Sequence, residues 1–183
     1  MKKITAFILM VLCLTVFNSC SVDSKQEVTV DDAKQAYNDM KGTWRGKVTD
    51  ENVPVEVTMT FGNEFTLSNL PVTPLLKRFF SGEKLDEALK TAHPANFVAP
   101  TLEMMISGDQ VFVQMEPTDW SFTVTVGDED YQVNALLRVI TLYSNNYKTL
   151  SANITVQELT CEGTTADLTT NGISYLVDSA TRN

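Results

Sequence analysis

Beyond residue 42 the chain alternates apolar and polar residues with a period of two, and this predicts a mainly β (α+β) fold. Turn pairs at hairpin spacing (Gly62-Asn63, Gly108-Asp109, Asn145-Asn146) make it an antiparallel meander that forms a barrel-like or sandwich body. Two helical patterns interrupt the alternation: one helix before the first strand and an inserted helical pair before residue 95. The chain has 183 residues, and without a 19-residue leader 164 remain, enough for one domain with a real core over residues 30–183.

The leader reads Lys2-Lys3, then fourteen apolar and small residues from Ile4 to Phe17, then Asn18-Ser19-Cys20. A membrane-spanning helix needs roughly 20 residues, whereas a signal-peptide core takes about 7–15. The order of cationic head, apolar middle, small residue and cysteine resembles the lipobox of bacterial lipoproteins. Ser19 and Cys20 match that pattern, while Phe17 stands where leucine is usual and Asn18 is an uncommon filler. The resemblance implies removal of residues 1–19 and acylation of Cys20, placing the chain in the cell envelope at the outer membrane; plain secretion after Ser19 is the alternative. Residues 20–29 are then the lipidated cysteine and a solvated tether, whose segment Ser21–Val28 reaches at most about 27 Å.

Loss of Lys2 and Lys3 with the leader lowers the formal charge from −9 to −11. Such an acidic body repels phosphate backbones, which argues against a nucleic-acid partner. It also disfavours electrostatic docking on anionic lipid, so membrane attachment rests on the covalent anchor. With Cys13 removed and Cys20 acylated, Cys161 has no disulfide partner, and its alternating surroundings make it a buried small hydrophobe.

Val30, Ala33, Tyr37 and Met40 recur at helical spacing, with Asp31 and Asp32 at the N-terminus and Gly42 as the stop, so a helix is expected over Asp31–Lys41. Gly42-Thr43-Trp44 opens the first strand. A short helix followed by Gly-x-Trp is similar to the lipocalin signature, in which the tryptophan closes a barrel and a late-strand arginine stacks on it. That resemblance implies Trp44 paired with Arg138; otherwise Trp44 is a large core side chain. Val53, Val55, Val57, Met59 and Phe61 alternate with polar residues, and Phe65, Leu67 and Leu70 complete a hairpin. Thr73-Pro74 reads as an N-cap and first helical residue, with Leu75, Leu76, Phe79 and Phe80 apolar. After Ser81-Gly82, Leu85, Ala88, Leu89 and Ala92 form a second helix that His93-Pro94 stops. The pair is expected to cap an open end of the sheet, a lid over a ligand being the alternative.

Strands resume at Leu102–Ser107, Gln110–Glu116, Trp120–Val126, Tyr131–Ser144 and Leu150–Cys161. Leu150 to Val156 and Leu159 to Cys161 have opposite parity, which predicts a bulge near Gln157-Glu158. A last strand is expected over Ile173–Val177, followed by a frayed tail.

No local pattern supports catalysis. His93 is the only histidine and lies at a helix end. Three cysteines and one histidine are too few for a closed zinc site once Cys13 and Cys20 are accounted for. Asp128, Glu129 and Asp130 lack a calcium-loop pattern and read as a solvated hairpin tip. We therefore expect no catalytic residues, no metal and no cofactor. Trp120, Phe112, Tyr131 and Tyr143 are the residues that would line a cup for a small apolar molecule or glycan, and otherwise they are core. Asp178-Ser179-Ala180 resembles a short O-glycan acceptor motif of Bacteroidetes, with Ser179 as the acceptor.

Taken together, "VTVDDAKQAYNDMKGTWRGKV", "LSNLPVTPLLKRF", "KLDEAL" and "ANITVQELTCEG" occur in an order that resembles a family of lipoproteins of gut Bacteroidetes known only as a domain of unknown function. The resemblance implies the lipid anchor and carries no activity. The functional expectation is a non-catalytic interaction or structural module whose partners are the membrane, through its anchor, and another envelope protein; a lipocalin-like binder of a small ligand is the alternative.

Overall fold

The computed structural model describes residues 29–107 and 110–182; the leader, Cys20, the tether through Val28 and the Gly108-Asp109 turn lie outside the described residues. Within them the alternation builds eleven strands: β1 (Gly42–Asp50), β2 (Val53–Phe61), β3 (Phe65–Ser68), β4 (Phe97–Ala99), β5 (Thr101–Ser107), β6 (Gln110–Met115), β7 (Thr118–Val126), β8 (Glu129–Ser144), β9 (Thr149–Cys161), β10 (Thr164–Thr165) and β11 (Ser174–Arg182). Three helices join them: α1 (Val30–Met40), α2 (Thr73–Leu76) and α3 (Glu83–Thr91).

All the strands belong to one antiparallel sheet in the order β4-β3-β2-β1-β11-β9-β8-β6-β5, with β7 on β8 and β10 on β9. The 16-residue β8 is shared: its first half pairs with β7 (Val126 with Glu129) and its second half with β6 (Gln110 with Ser144). Only Pro100 separates β4 from β5, so the two ends of the strand path are consecutive in the chain and the sheet is a nearly closed barrel.

The expected bulge is present. Leu136 pairs with Glu158 and Leu137 with Val156, which leaves Gln157 as the extra residue. It re-aims Leu159 and Cys161 into the core, where Cys161 is 5% exposed. The tail does not fray. β11 continues to Arg182 and pairs with both β9 and β1. A second bulge, between Val177 and Ala180, accounts for the difference: it breaks the period at Asp178-Ser179, with Ser179 at φ 50°, and returns Ala180 to the interior.

Close approach of β1 and β11 requires Gly46. A Cβ there would stand 2.3 Å from Val177 Cγ1 and 3.0 Å from Ala180 Cβ. α1 packs through Met40, and its terminal carbonyl accepts a hydrogen bond from Trp44 Nε1 (2.8 Å). Tyr37 also donates to the Gly62 carbonyl (3.0 Å), so the helix is fixed to the β2–β3 turn.

The helical pair differs from the expectation in its start. Thr73 is already helical, Val72 is the N-cap, and no side chain caps it. α3 is bonded to the edge of β7 and the turn that follows it. Thr91 Oγ1 accepts from the Thr125 amide (2.9 Å) and donates to the Thr125 carbonyl (3.0 Å), as a neighbouring strand would. Glu87 Oε2 accepts from the Gly127 amide (2.8 Å). α3 thus takes up hydrogen-bonding groups that β7 would otherwise leave to solvent.

Candidate interaction surface

The inward side chains form a single contiguous hydrophobic cluster. Trp44 on β1 is 1% exposed, and its ring meets Tyr143 of β8 edge-on, 5.6 Å between centroids, although two strands separate β1 from β8 in the sheet. Thr141, the one buried polar residue among the described core, donates to the Val113 carbonyl (3.3 Å).

Trp44 and Arg138 are not partners. On β8 the odd residues Leu137, Val139 and Tyr143 point inward, and even-numbered Arg138 points to the outer face. There Arg138 Nη2 donates to Gln114 Oε1 (3.2 Å), while its Nε is buried without an acceptor among the described residues.

Nor do the four aromatic candidates converge. Tyr143 lies in the core against Trp44. Tyr131, twelve positions earlier on the same strand and thus about 40 Å away, packs on Phe80 (5.3 Å) and donates to Glu129 Oε2 (2.7 Å). That hydrogen bond, with burial second, holds the Tyr131 hydroxyl above its ordinary pKa. Phe112 is half-buried on the outer face. Trp120, 5% exposed, donates Nε1 to the Ala95 carbonyl (2.8 Å) and forms a wall of an open groove of about 410 Å³ shared with Asn69, Pro71, His93 and Asn96. A second open groove, about 390 Å³, lies beside Lys77 and Arg78; Lys77 is paired there with Glu51, and Arg78 donates to the Asn171 carbonyl.

The groups available for chemistry are scattered. His93 is exposed on the groove rim. Burial, with Glu162 second, pushes the Cys161 thiol up, away from a reactive thiolate. Among the described residues no three of the histidine, cysteine, aspartate and glutamate side chains come together to hold a metal ion. At the Gly127 turn, Asp130 accepts from the Thr125 hydroxyl (2.7 Å). Ser179 is exposed in its bulge and donates to Asp178 Oδ1 (3.1 Å).

What sequence reasoning missed is the exposed surface of β5, a strand expected over Leu102–Ser107 and observed over Thr101–Ser107. On most of the long strands burial alternates; on β5 the four residues Leu102–Met105 are all exposed, with Leu102 at 56%, Met104 at 36% and Met105 at 55%. Its only ladder among the described residues is with β6. Met104 and Ile106 lie on the core side, opposite Val113 and Val111. Met105 lies on the outer face in a row with Phe112 and Leu142. Ile140 and Arg138 follow on that face of β8. Methionine, phenylalanine and arginine in one patch match the composition of protein–protein interface cores. The signal was present in the sequence: Met104-Met105-Ile106 is apolar on both faces of its strand.

No described helix is long and apolar enough to cross a membrane. Comparison with the curated proteins and with the solved structures finds no match. The family models give one: residues 37–161, from the second half of α1 to the end of β9, match a domain of unknown function, DUF4840, and the chain belongs to that family.

Proposed function

We propose that this protein is a lipid-anchored, non-catalytic interaction module of the bacterial cell envelope, moored to the outer membrane through Cys20 and working through the face made by β5, β6 and β8. The observation that carries the reading is a barrel whose interior is occupied by its own side chains while an apolar strip on β5 is left uncovered. The leader of residues 1–19 directs export and is removed, and the acylated Cys20 supplies the mooring. The Cys161 thiol is buried and held above its ordinary pKa, away from a reactive thiolate.

The groove beside Trp120 favours a second reading, a small ligand such as a glycan held by the indole edge, Asn69 and Asn96. Trp120→Ala would then abolish ligand binding and leave the β5 surface unaffected. Ser179 is the proposed acceptor for an O-linked glycan, read out as added mass on the native protein.

The anchor is tested by detergent partitioning. Wild-type protein should enter the detergent phase and Cys20→Ala should not. Wild-type protein recovered in the aqueous phase with an unmodified Cys20 contradicts the reading.

A further inference from the structure

We propose that β5 is a dimerisation strand, and that it pairs antiparallel with β5 of a second copy of this chain about a twofold axis at Met105. This names a partner for the surface described above and rests on that reading only in using the same face.

The backbone sets the register. Ser107 and Gln110 are paired across a connection of two residues, so they form a pair that exchanges both hydrogen bonds. Alternation then makes Met105–Phe112 and Glu103–Gln114 hydrogen-bonded pairs as well. The amides and carbonyls of Met104 and Ile106 therefore point away from β6, along an edge that carries no proline, lysine or bulge between Glu103 and Ser107. Such an edge is a template for another strand. The molecule treats its other exposed edges differently. α3 covers β7 through Thr91 and Glu87, and β4 is three residues long and ends at Pro100.

A twofold at Met105 sets Met104 opposite Ile106 of the second copy, so the outward amides and carbonyls of both residues find partners. On the core side these residues cover one another, which closes the exposed flank of Met104. On the outer face the row Leu142, Phe112, Met105 continues without a break into Met105, Phe112, Leu142 of the second copy. Glu103, the only charge on the strand, faces Ser107 of the second copy, whose hydroxyl can donate to it. Competing registers are worse. A twofold at Glu103 sets two carboxylates opposite each other. A twofold at Met104 depends on Leu102, which the register shift between Thr101 and Glu103 removes from the ladder. In a chain of formal charge −9, or −11 without its leader, this nearly neutral strip is a place where two copies can meet without strong repulsion.

Cysteine cross-linking of the full chain in its membrane tests the register. Met105→Cys brings its two Cα atoms to about 4.5 Å, the spacing of a non-hydrogen-bonded pair and within disulfide reach. Met104→Cys is offset by two residues, about 8 Å from its counterpart, and is out of reach. Under mild oxidation Met105→Cys should link at least ten-fold more than Met104→Cys, and Met104→Cys mixed with Ile106→Cys should link again. In sedimentation the detergent-solubilised wild type should be a dimer, and Met105→Lys, with an unchanged melting temperature, a monomer. A monomeric wild type at about 100 μM, equal linking at positions 104 and 105, or linking only to a different polypeptide overturns the proposal. Wild-type chains that link through Cys20 count against the acyl anchor and leave the dimer standing.

Discussion

Replacing Trp44 by alanine examines the filled interior at its largest buried side chain. The ring is 1% exposed, so its loss leaves a cavity worth about 3–5 kcal/mol. The Met40 carbonyl also loses its 2.8 Å donor, at a cost of about 1–3 kcal/mol where it stays dry. These costs overlap, and a total of about 4–6 kcal/mol is expected. At about 2–4 °C per kcal/mol for a domain of this size, the melting temperature should fall by roughly 10–20 °C in a circular-dichroism scan. Trp44→Phe keeps much of the ring volume and should lose less than half as much. A double-mutant cycle identifies the partner. Trp44 and Tyr143, 5.6 Å apart and edge-on, should couple by about 0.5–1.5 kcal/mol. Trp44 and Arg138, on opposite faces of the sheet, should be additive within about 0.5 kcal/mol. A loss below about 1 kcal/mol for Trp44→Ala, or coupling to Arg138 as strong as to Tyr143, refutes the packing described.

Gly46→Ala drives a methyl into Val177 and Ala180 and should cost about 1–3 kcal/mol by thermal unfolding; adding Val177→Ala should return part of it. Thr91→Val keeps shape but removes both hydrogen bonds to Thr125, so stability should fall by about 1–3 kcal/mol. Amide exchange at Thr125 should quicken at least ten-fold, and unchanged exchange would show that α3 does not protect the β7 edge. Tyr175 is buried and donates to the Pro71 carbonyl (2.8 Å). Burial, with the charge of Asp50 second, raises its pKa well above the ordinary value. Its contribution to stability is therefore complete below the unfolded pKa of about 10 and is lost as pH rises beyond it. Urea titrations between pH 8 and 11 should show this decline, and it should be smaller in Tyr175→Phe.

What the sequence conveyed follows from physical range. Period-two alternation is local, so β2, β7, β8 and β9 were legible, and the parity switch near Gln157 even located a bulge. The continuation of β11 was hidden because its own bulge at Asp178-Ser179 breaks that alternation. β4 and β10, at three and two residues, are too short to show a period. The Trp44–Arg138 pairing failed at β8, where Leu136, Ile140 and Leu142 make the outer face apolar too, and only the three-dimensional structure shows which parity faces inward. The β5 surface was half legible: Met104-Met105-Ile106 is apolar on both faces of its strand, but that β5 has no second ladder among the described residues depends on the long-range order of the sheet. The expectation at Cys20 needs no fold, since it rests on charge, length and a thiol alone, and it lies outside the described residues.

The reading as a whole depends on a barrel filled by its own side chains, so that the working surface is outside. Crystals of the mature protein under xenon pressure test this most directly, because an unfilled apolar cavity takes up the gas. The expected map has no xenon among Trp44, Tyr143 and Leu137. A well-occupied xenon site bounded by those three residues would mean a hollow cup and would contradict the account.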